Sequence, residues 1–168
     1  MANKCPIIYN IDQDFESSVI SAAELFLSGK IFIYPTDTIY GFGANPFNEN
    51  AVESLIRIKG RDEAKQFIWL ISDVENLLNY VTIDFELHLE FLKKIWPGPV
   101  SVILRLNSRV EELLGYKTVA FRVPDNAFCS KLLNEVSLPI ISTSVNRSGQ
   151  AAINDYNEII EEFSQDTD

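Results

Sequence analysis

The sequence predicts an α/β fold: a single-domain, twisted, open mixed sheet with flanking helices. Three observations predict it. Segments with helical apolar spacing alternate with short β-branched runs along the whole chain, the pattern of helices packed on a sheet. VSVILRL (100–106) and TVAFRV (118–123) lack a full helix between them, so that pair is expected to be antiparallel and the sheet mixed. The 168 residues fit one domain that can bury a sizeable core. Residues 1–168 therefore read as one domain, with an acidic end at 155–168.

Each element has a local reason. In DFESSVISAAELFLS (14–28) the apolar residues recur at helical spacing, and Gly29 stops the helix. IFIY (31–34) is short, apolar and β-branched, a buried strand. Asn48 or Asn50 caps a helix through AVESLIRIK, ended by Gly60. FIWLI (67–71) is a second buried strand, and Asp73 caps the short helix VENLLNY. Asp84 is expected to start FELHLEFLKKIW, which Pro97-Gly98-Pro99 halts. Ser108–Gly115 forms a short helix or turn. Asp125 or Asn126 caps AFCSKLLNEV, PIIS (139–142) is a strand, and the last helix begins near Asp155.

Composition narrows the function classes. Fourteen Lys and Arg stand against 24 Asp and Glu, a net charge of −10. That argues against a generically basic nucleic-acid binder, although net charge does not describe any one cleft. Six acids and no base fall in 155–168, which reads as a solvated helix fraying at its end. One His and two distant cysteines, Cys5 and Cys129, argue against a zinc site and for two free thiols. No apolar stretch has the length of a signal peptide or a membrane span, so the expected location is the cytoplasm. His88 reads as a surface or packing residue, and no histidine-based nucleophilic catalysis is expected.

Three loops are chemically dense. PTDTIYGFG (35–43) follows a strand and offers hydroxyls, a carboxylate and two glycines that let backbone approach a ligand. RIKGRDEAK (57–65) concentrates four cations in an acidic chain, suiting a polyphosphate, or else a solvated helix end complementing the helix dipole. STSVNRSG (142–149) could cradle an anion with hydroxyls and backbone N–H groups, or form a turn and helix cap. Arg122 sits in the apolar run AFRVP and needs a carboxylate or phosphate partner. WPGP (96–99) reads as a structural corner.

Taken in order, YPTDTIYGFG (34–43), Lys59-Gly60-Arg61 with Lys65, WPGP (96–99), Arg122-Val123-Pro124 and TSVNRSG (143–149) resemble the motifs of the YrdC family over roughly residues 15 to 160. That family includes the threonylcarbamoyl-AMP synthases. The resemblance implies a YrdC-like twisted sheet around a positively charged cleft, in a short form holding the YrdC domain only.

It also implies a reaction. L-threonine, bicarbonate and ATP, usually with Mg²⁺, give threonylcarbamoyl-AMP and pyrophosphate. The product is passed to a separate threonylcarbamoyl transferase complex that modifies position 37 of tRNA. By the same resemblance Thr38, Arg122 and Ser142 bind threonine, and Arg61, Lys65, Thr118 and Ser144 bind ATP. Thr36, Tyr40, Lys59 and Asn146 give supporting contacts; no catalytic side chain and no metal ligand is assigned. Leu70 stands where some relatives carry a threonine-contacting His. The alternative is a YrdC-like protein that binds tRNA or another RNA, in the manner of a translation factor, without this chemistry.

Overall fold

Thirteen short elements build the fold, a computed structural model that describes residues 6–60 and 66–166. They are α1 (Phe15–Leu27), β1 (Phe32–Tyr34), β2 (Gly41–Ala44), α2 (Glu49–Lys59), β3 (Ile68–Leu70), α3 (Val74–Leu77) and α4 (Glu86–Ile95). After them come β4 (Val102–Arg105), α5 (Ser108–Leu114), β5 (Thr118–Arg122), α6 (Ala127–Val136), β6 (Ile140–Ser144) and α7 (Tyr156–Phe163). Side-chain oxygens cap most helix starts: Asn48, Asp73, Asn107, Asn126 and Asp155 each accept a first-turn N–H. Asn48 and Asn126 thus settle the two open capping choices. Asp84 does not cap α4; it lies one residue early, and Phe85 occupies the cap position with no side-chain bond.

The strands form one sheet in the order β1-β2-β6-β3-β5-β4. β3 and β5 are parallel, and all other neighbours, β4 and β5 among them, are antiparallel. One strand was not foreseen. Gly41–Ala44, read from sequence as part of a ligand loop, is inserted between β1 and β6. Two glycines in four residues hide a strand from propensity. Here they are needed, because a Cβ on Gly43 would lie 2.5 Å from Phe32 Cζ and 2.9 Å from Tyr34 Cε1.

The register divides the sheet into two faces. On one lie Tyr34, Gly41, Gly43, Ser142, Ser144, Ile68, Thr118, Ala120, Arg122, Ile103 and Arg105. Helices α1 and α6 cover only part of it, burying Phe26, Phe128 and Leu132 against Phe32, Tyr34, Leu70 and Ile140. The rest stays open, with Ile103 71% exposed. The opposite face is packed over most of its width: Phe42, Trp69, Val119, Phe121 and Ile141 meet Leu55 of α2, Leu77 of α3, Leu92 of α4 and Phe163 of α7, while Val102 and Leu104 of β4 stay half-buried beside α4.

The acidic end departs from the sequence expectation. Its acids Glu158, Glu161, Glu162 and Asp166 are exposed as expected, but the helix is docked by its apolar edge: Phe163 is fully buried and meets Phe42 edge-on at 5.1 Å. Its acids Glu162 and Asp166 pair with Arg147. Among the described residues no helix is long and apolar enough to cross a membrane.

Candidate functional site

The open part of the sheet face carries the chemistry, and Arg122 lies at its edge as the last residue of β5. Its guanidinium is held on three sides. Nε donates to Gly98 O at 3.0 Å, Nη2 pairs with Asp37 Oδ2 at 2.5 Å, and Nη1 reaches Thr38 Oγ1 at 3.5 Å. Both partners of the ion pair are nearly buried, with side chains 12% and 10% exposed. Asp37 is therefore the carboxylate that a half-buried arginine requires, and the loosest arm, Nη1, is the one turned to exposed Thr38. A planar guanidinium fixed along two edges presents its remaining donors in a set direction, suited to a ligand carboxylate.

The WPGP corner serves this arrangement. Trp96 is buried with Nε1 donating to Val100 O at 2.6 Å, and Gly98 N donates to Val123 O at 2.9 Å. The turn is thus tied to the end of β5 and aims its Gly98 carbonyl at Arg122. Sequence reasoning gave the corner a structural role only; the structure makes it part of the arginine's setting.

Around this centre the 35–43 segment is a hydroxyl-stabilised turn followed by β2. Thr36 Oγ1 accepts from Thr38 N and Ile39 N and donates to Ile39 O, so this side chain is used in shaping the loop. Its Oγ1 also lies 3.1 Å from Thr38 Oγ1. Tyr40 is tied through its backbone, its N–H to Asn154 Oδ1 and its carbonyl to Val145 N. Ser142 lies directly beside this loop: a Cβ on Gly41 would sit 3.0 Å from Ser142 Oγ and 3.8 Å from Thr36 Cγ2. Thr38 touches Arg122 directly, and Ser142 is linked to them through Gly41 and Thr36 of the same loop.

Beneath it are two neutral groups. Burial pushes the Cys129 thiol up to about 12, with the charge of Asp37 adding to the effect. Burial likewise raises the Tyr34 phenol well above its ordinary value. Cys129 is a free, protonated thiol, not a nucleophile. Cys5 lies outside the described residues.

The second centre is Lys59. It is 3% exposed, so it is not part of a solvated helix end, unlike exposed Arg57 two residues earlier. Its ammonium donates to Ser144 O at 2.6 Å, Asn146 O at 3.0 Å and Asn146 Oδ1 at 2.9 Å, and stands 5.7 Å from the Phe42 ring centre. Ser144 Oγ donates to the same Asn146 Oδ1 at 2.6 Å. These contacts make Lys59 a positioning residue for the 144–146 turn.

Ser144 and Ser142 are two residues apart on one strand face, which joins the two centres. Thr118 is exposed at the start of β5, opposite Arg105 and about 13 Å along the strand from Arg122. It borders the same open face without touching either cluster. Arg61 and Lys65 lie outside the described residues. Asp37, Gly98 and Arg147 contribute here without having stood out in the sequence as site residues. The demand of Arg122 for a carboxylate, beside an Asp in the densest loop, was the signal available for the first.

Among the described residues no three His, Cys, Asp or Glu side chains converge as a metal site. Asp37, the carboxylate nearest the centre, is engaged by Arg122. Mg²⁺ commonly leans on substrate phosphates and waters. Asp37 Oδ1 is buried without a hydrogen-bond partner among the described residues, so a Mg²⁺ would be held through a triphosphate with this oxygen as the candidate protein ligand.

Comparison with known proteins agrees with this architecture. The profile of the Sua5/YciO/YrdC family, described as "Telomere recombination", matches residues 24–168. The chain is 35% identical over 139 residues to a protein named threonylcarbamoyl-AMP synthase from Vibrio vulnificus (strain YJ016), covering 80% of this chain and 74% of that one. The crystal structure of P. abyssi Sua5 complexed with L-threonine superposes with a TM-score of 0.82 at 31% identity, covering 91% of this chain and 46% of that one. This chain thus spans about half the length of that relative. E. coli YciO superposes with a TM-score of 0.81 at 27% identity, covering 91% of this chain and 76% of that one. By profile, sequence identity and fold together, the chain belongs to the Sua5/YciO/YrdC family.

Proposed function

We propose that the protein is a nucleotidyltransferase of the cytoplasm, an L-threonylcarbamoyladenylate synthase. It joins L-threonine, bicarbonate and ATP into threonylcarbamoyl-AMP, releasing pyrophosphate and water. The observation that carries the reading is Arg122, pinned by Asp37 and Gly98 with its loosest arm on exposed Thr38. An amino acid that bears a hydroxyl fits that set: carboxylate to Arg122, hydroxyl to Thr38 or Ser142. The relative solved with L-threonine supports the choice of amino acid.

ATP lies along the open face on Thr118 and Ser144, its phosphates met by Arg61 and Lys65. Lys59, Asn146, Thr36 and Tyr40 shape the walls. The threonine amine takes up the one-carbon unit as a carbamate. A carbamate oxygen then attacks the α-phosphorus, and the bond to pyrophosphate breaks. The protein contributes proximity, charge neutralisation on the leaving pyrophosphate and shelter of a labile carbamate from water. Any Mg²⁺ supplies further neutralisation of the triphosphate. The product feeds the transferase that modifies position 37 of tRNA.

The RNA-binding alternative draws on the cations of 57–65, of which buried Lys59 is not available to an external phosphate chain. The deciding experiment is a pyrophosphate-release assay with ATP and bicarbonate. Release that requires threonine supports the synthase; release equal with and without threonine, or none, overturns it.

A further inference from the structure

The turn that carries Ser144 and Asn146 is tied to the rest of the molecule by one side chain with no role so far, Arg147. Its Nη1 donates to Ile58 O at 2.6 Å. Its Nε donates to Glu162 Oε1 at 2.9 Å and its Nη2 to Asp166 Oδ2 at 2.7 Å. The guanidinium centre stands 4.6 Å from the Phe163 ring centre. The last carbonyls of a helix have no intrahelical partner. At the end of α2 the carbonyl of Ile58 is taken by Arg147 and that of Lys59 by Ser148 N, at 2.6 Å. Lys59 returns the contact through its ammonium, to Ser144 O and Asn146 O. The end of α2 and the 144–148 turn therefore clasp each other reciprocally. The clasp closes immediately before Gly60, from which the cationic segment with Arg61 and Lys65 departs.

We infer that Arg147, Glu162 and Asp166 form a latch by which the C-terminal helix α7 holds the nucleotide half of the site in register. The two carboxylates orient the guanidinium, the guanidinium fixes the end of α2 to the 144–148 turn, and Ser144 and Asn146 are carried on that junction. The fork geometry is what serves here: three acceptors spread around one plane are met by a rigid planar group, a placement that the compact ammonium of a lysine does not reproduce. Arg147, Glu162 and Asp166 are positioning residues and touch no substrate. Their influence falls on ATP and not on threonine, whose Arg122 centre is held separately by Asp37 and Gly98. The assignment to ATP rests on the synthase reading; the latch itself does not.

The experiment pairs amide exchange with kinetics on the full chain, comparing wild type with Glu162→Gln/Asp166→Asn and with Arg147→Lys. Native-state exchange of the Ser148 amide, which donates to Lys59 O, is expected to quicken by about tenfold in both variants while core amides of β3 and β5 keep their protection. The KM for ATP is expected to rise by about tenfold and that for threonine to change less than about twofold. Unchanged Ser148 exchange, or an Arg147→Lys protein that behaves as wild type, overturns the latch. Loss of protection throughout the core, with both KM values rising together, overturns it in favour of a purely structural role. If Ser148 exchange quickens but the wild type makes no threonine-dependent pyrophosphate, the latch stands and the synthase reading fails.

Discussion

The guanidinium of Arg122 and the carboxylate of Asp37 meet at 2.5 Å with both side chains nearly withdrawn from solvent. Breaking one half of such a pair leaves an uncompensated buried charge, at a cost of about 3–5 kcal/mol. Asp37→Ala is therefore expected to lose about 3 kcal/mol in urea denaturation, discounted for the residual exposure of the pair. A loss below about 1 kcal/mol would show that solvent already screens the guanidinium.

Lys59→Met removes the donor shared by Ser144 O and Asn146 while keeping much of the volume. Leaving buried acceptors unpaired costs about 1–3 kcal/mol. The variant is expected to remain folded by circular dichroism and to lose most of its ATP affinity in calorimetric titration. Wild-type affinity would remove Lys59 from the positioning of the 144–146 turn.

Gly43→Ala tests the unforeseen strand. The added methyl would lie 2.5 Å from Phe32 Cζ, inside packed rings, whereas on Gly41 it would meet Ser142 Oγ at 3.0 Å. Overpacking costs about 1–3 kcal/mol. Gly43→Ala is expected to lower the melting temperature, and Gly41→Ala to weaken threonine binding with a smaller stability loss. The reverse ordering would contradict the packing described for β2.

Cys129 gives a pH dependence with a definite sign. Its folded thiol titrates near about 12 because of burial, against about 8.5 in an unfolded chain. Above that lower value the unfolded state holds fewer protons, so stability falls as pH rises between the two. Below about pH 8.5 the contribution is fully present. Comparing denaturation of wild type and Cys129→Ala from pH 8 to 11 is expected to show the steeper alkaline decline in wild type. Parallel profiles would mean that the thiol is not shielded as described.

Much of the fold was legible because single local signals dominate it. Asn48, Asp73 and Asn126 announce helix starts, and the absence of a full helix between 106 and 118 announces the antiparallel β4–β5 pair. What escaped is where tertiary contact overrides local pattern. Gly41–Ala44 is a strand because β1 and β6 pair with it on both sides, and Gly43 is glycine there because Phe32 and Tyr34 leave no room for a Cβ. The acidic end is ordered because Phe163 finds the core and Arg147 finds Glu162 and Asp166. Within the candidate site, the need of Arg122 for an acid was readable from its apolar strand. That the acid is Asp37, and that the Gly98 carbonyl completes the setting, depends on a meeting of segments far apart in sequence.

The most direct test of the proposed chemistry follows the one-carbon unit. Purified protein is incubated with ¹⁴C-bicarbonate, L-threonine and ATP, and label is sought in an adenylate that carries threonine. The account predicts labelled threonylcarbamoyl-AMP only when all three substrates are present, with Arg122→Ala reducing it strongly at limiting threonine. Label that appears without threonine, or no labelled adenylate from the wild-type protein, would contradict it.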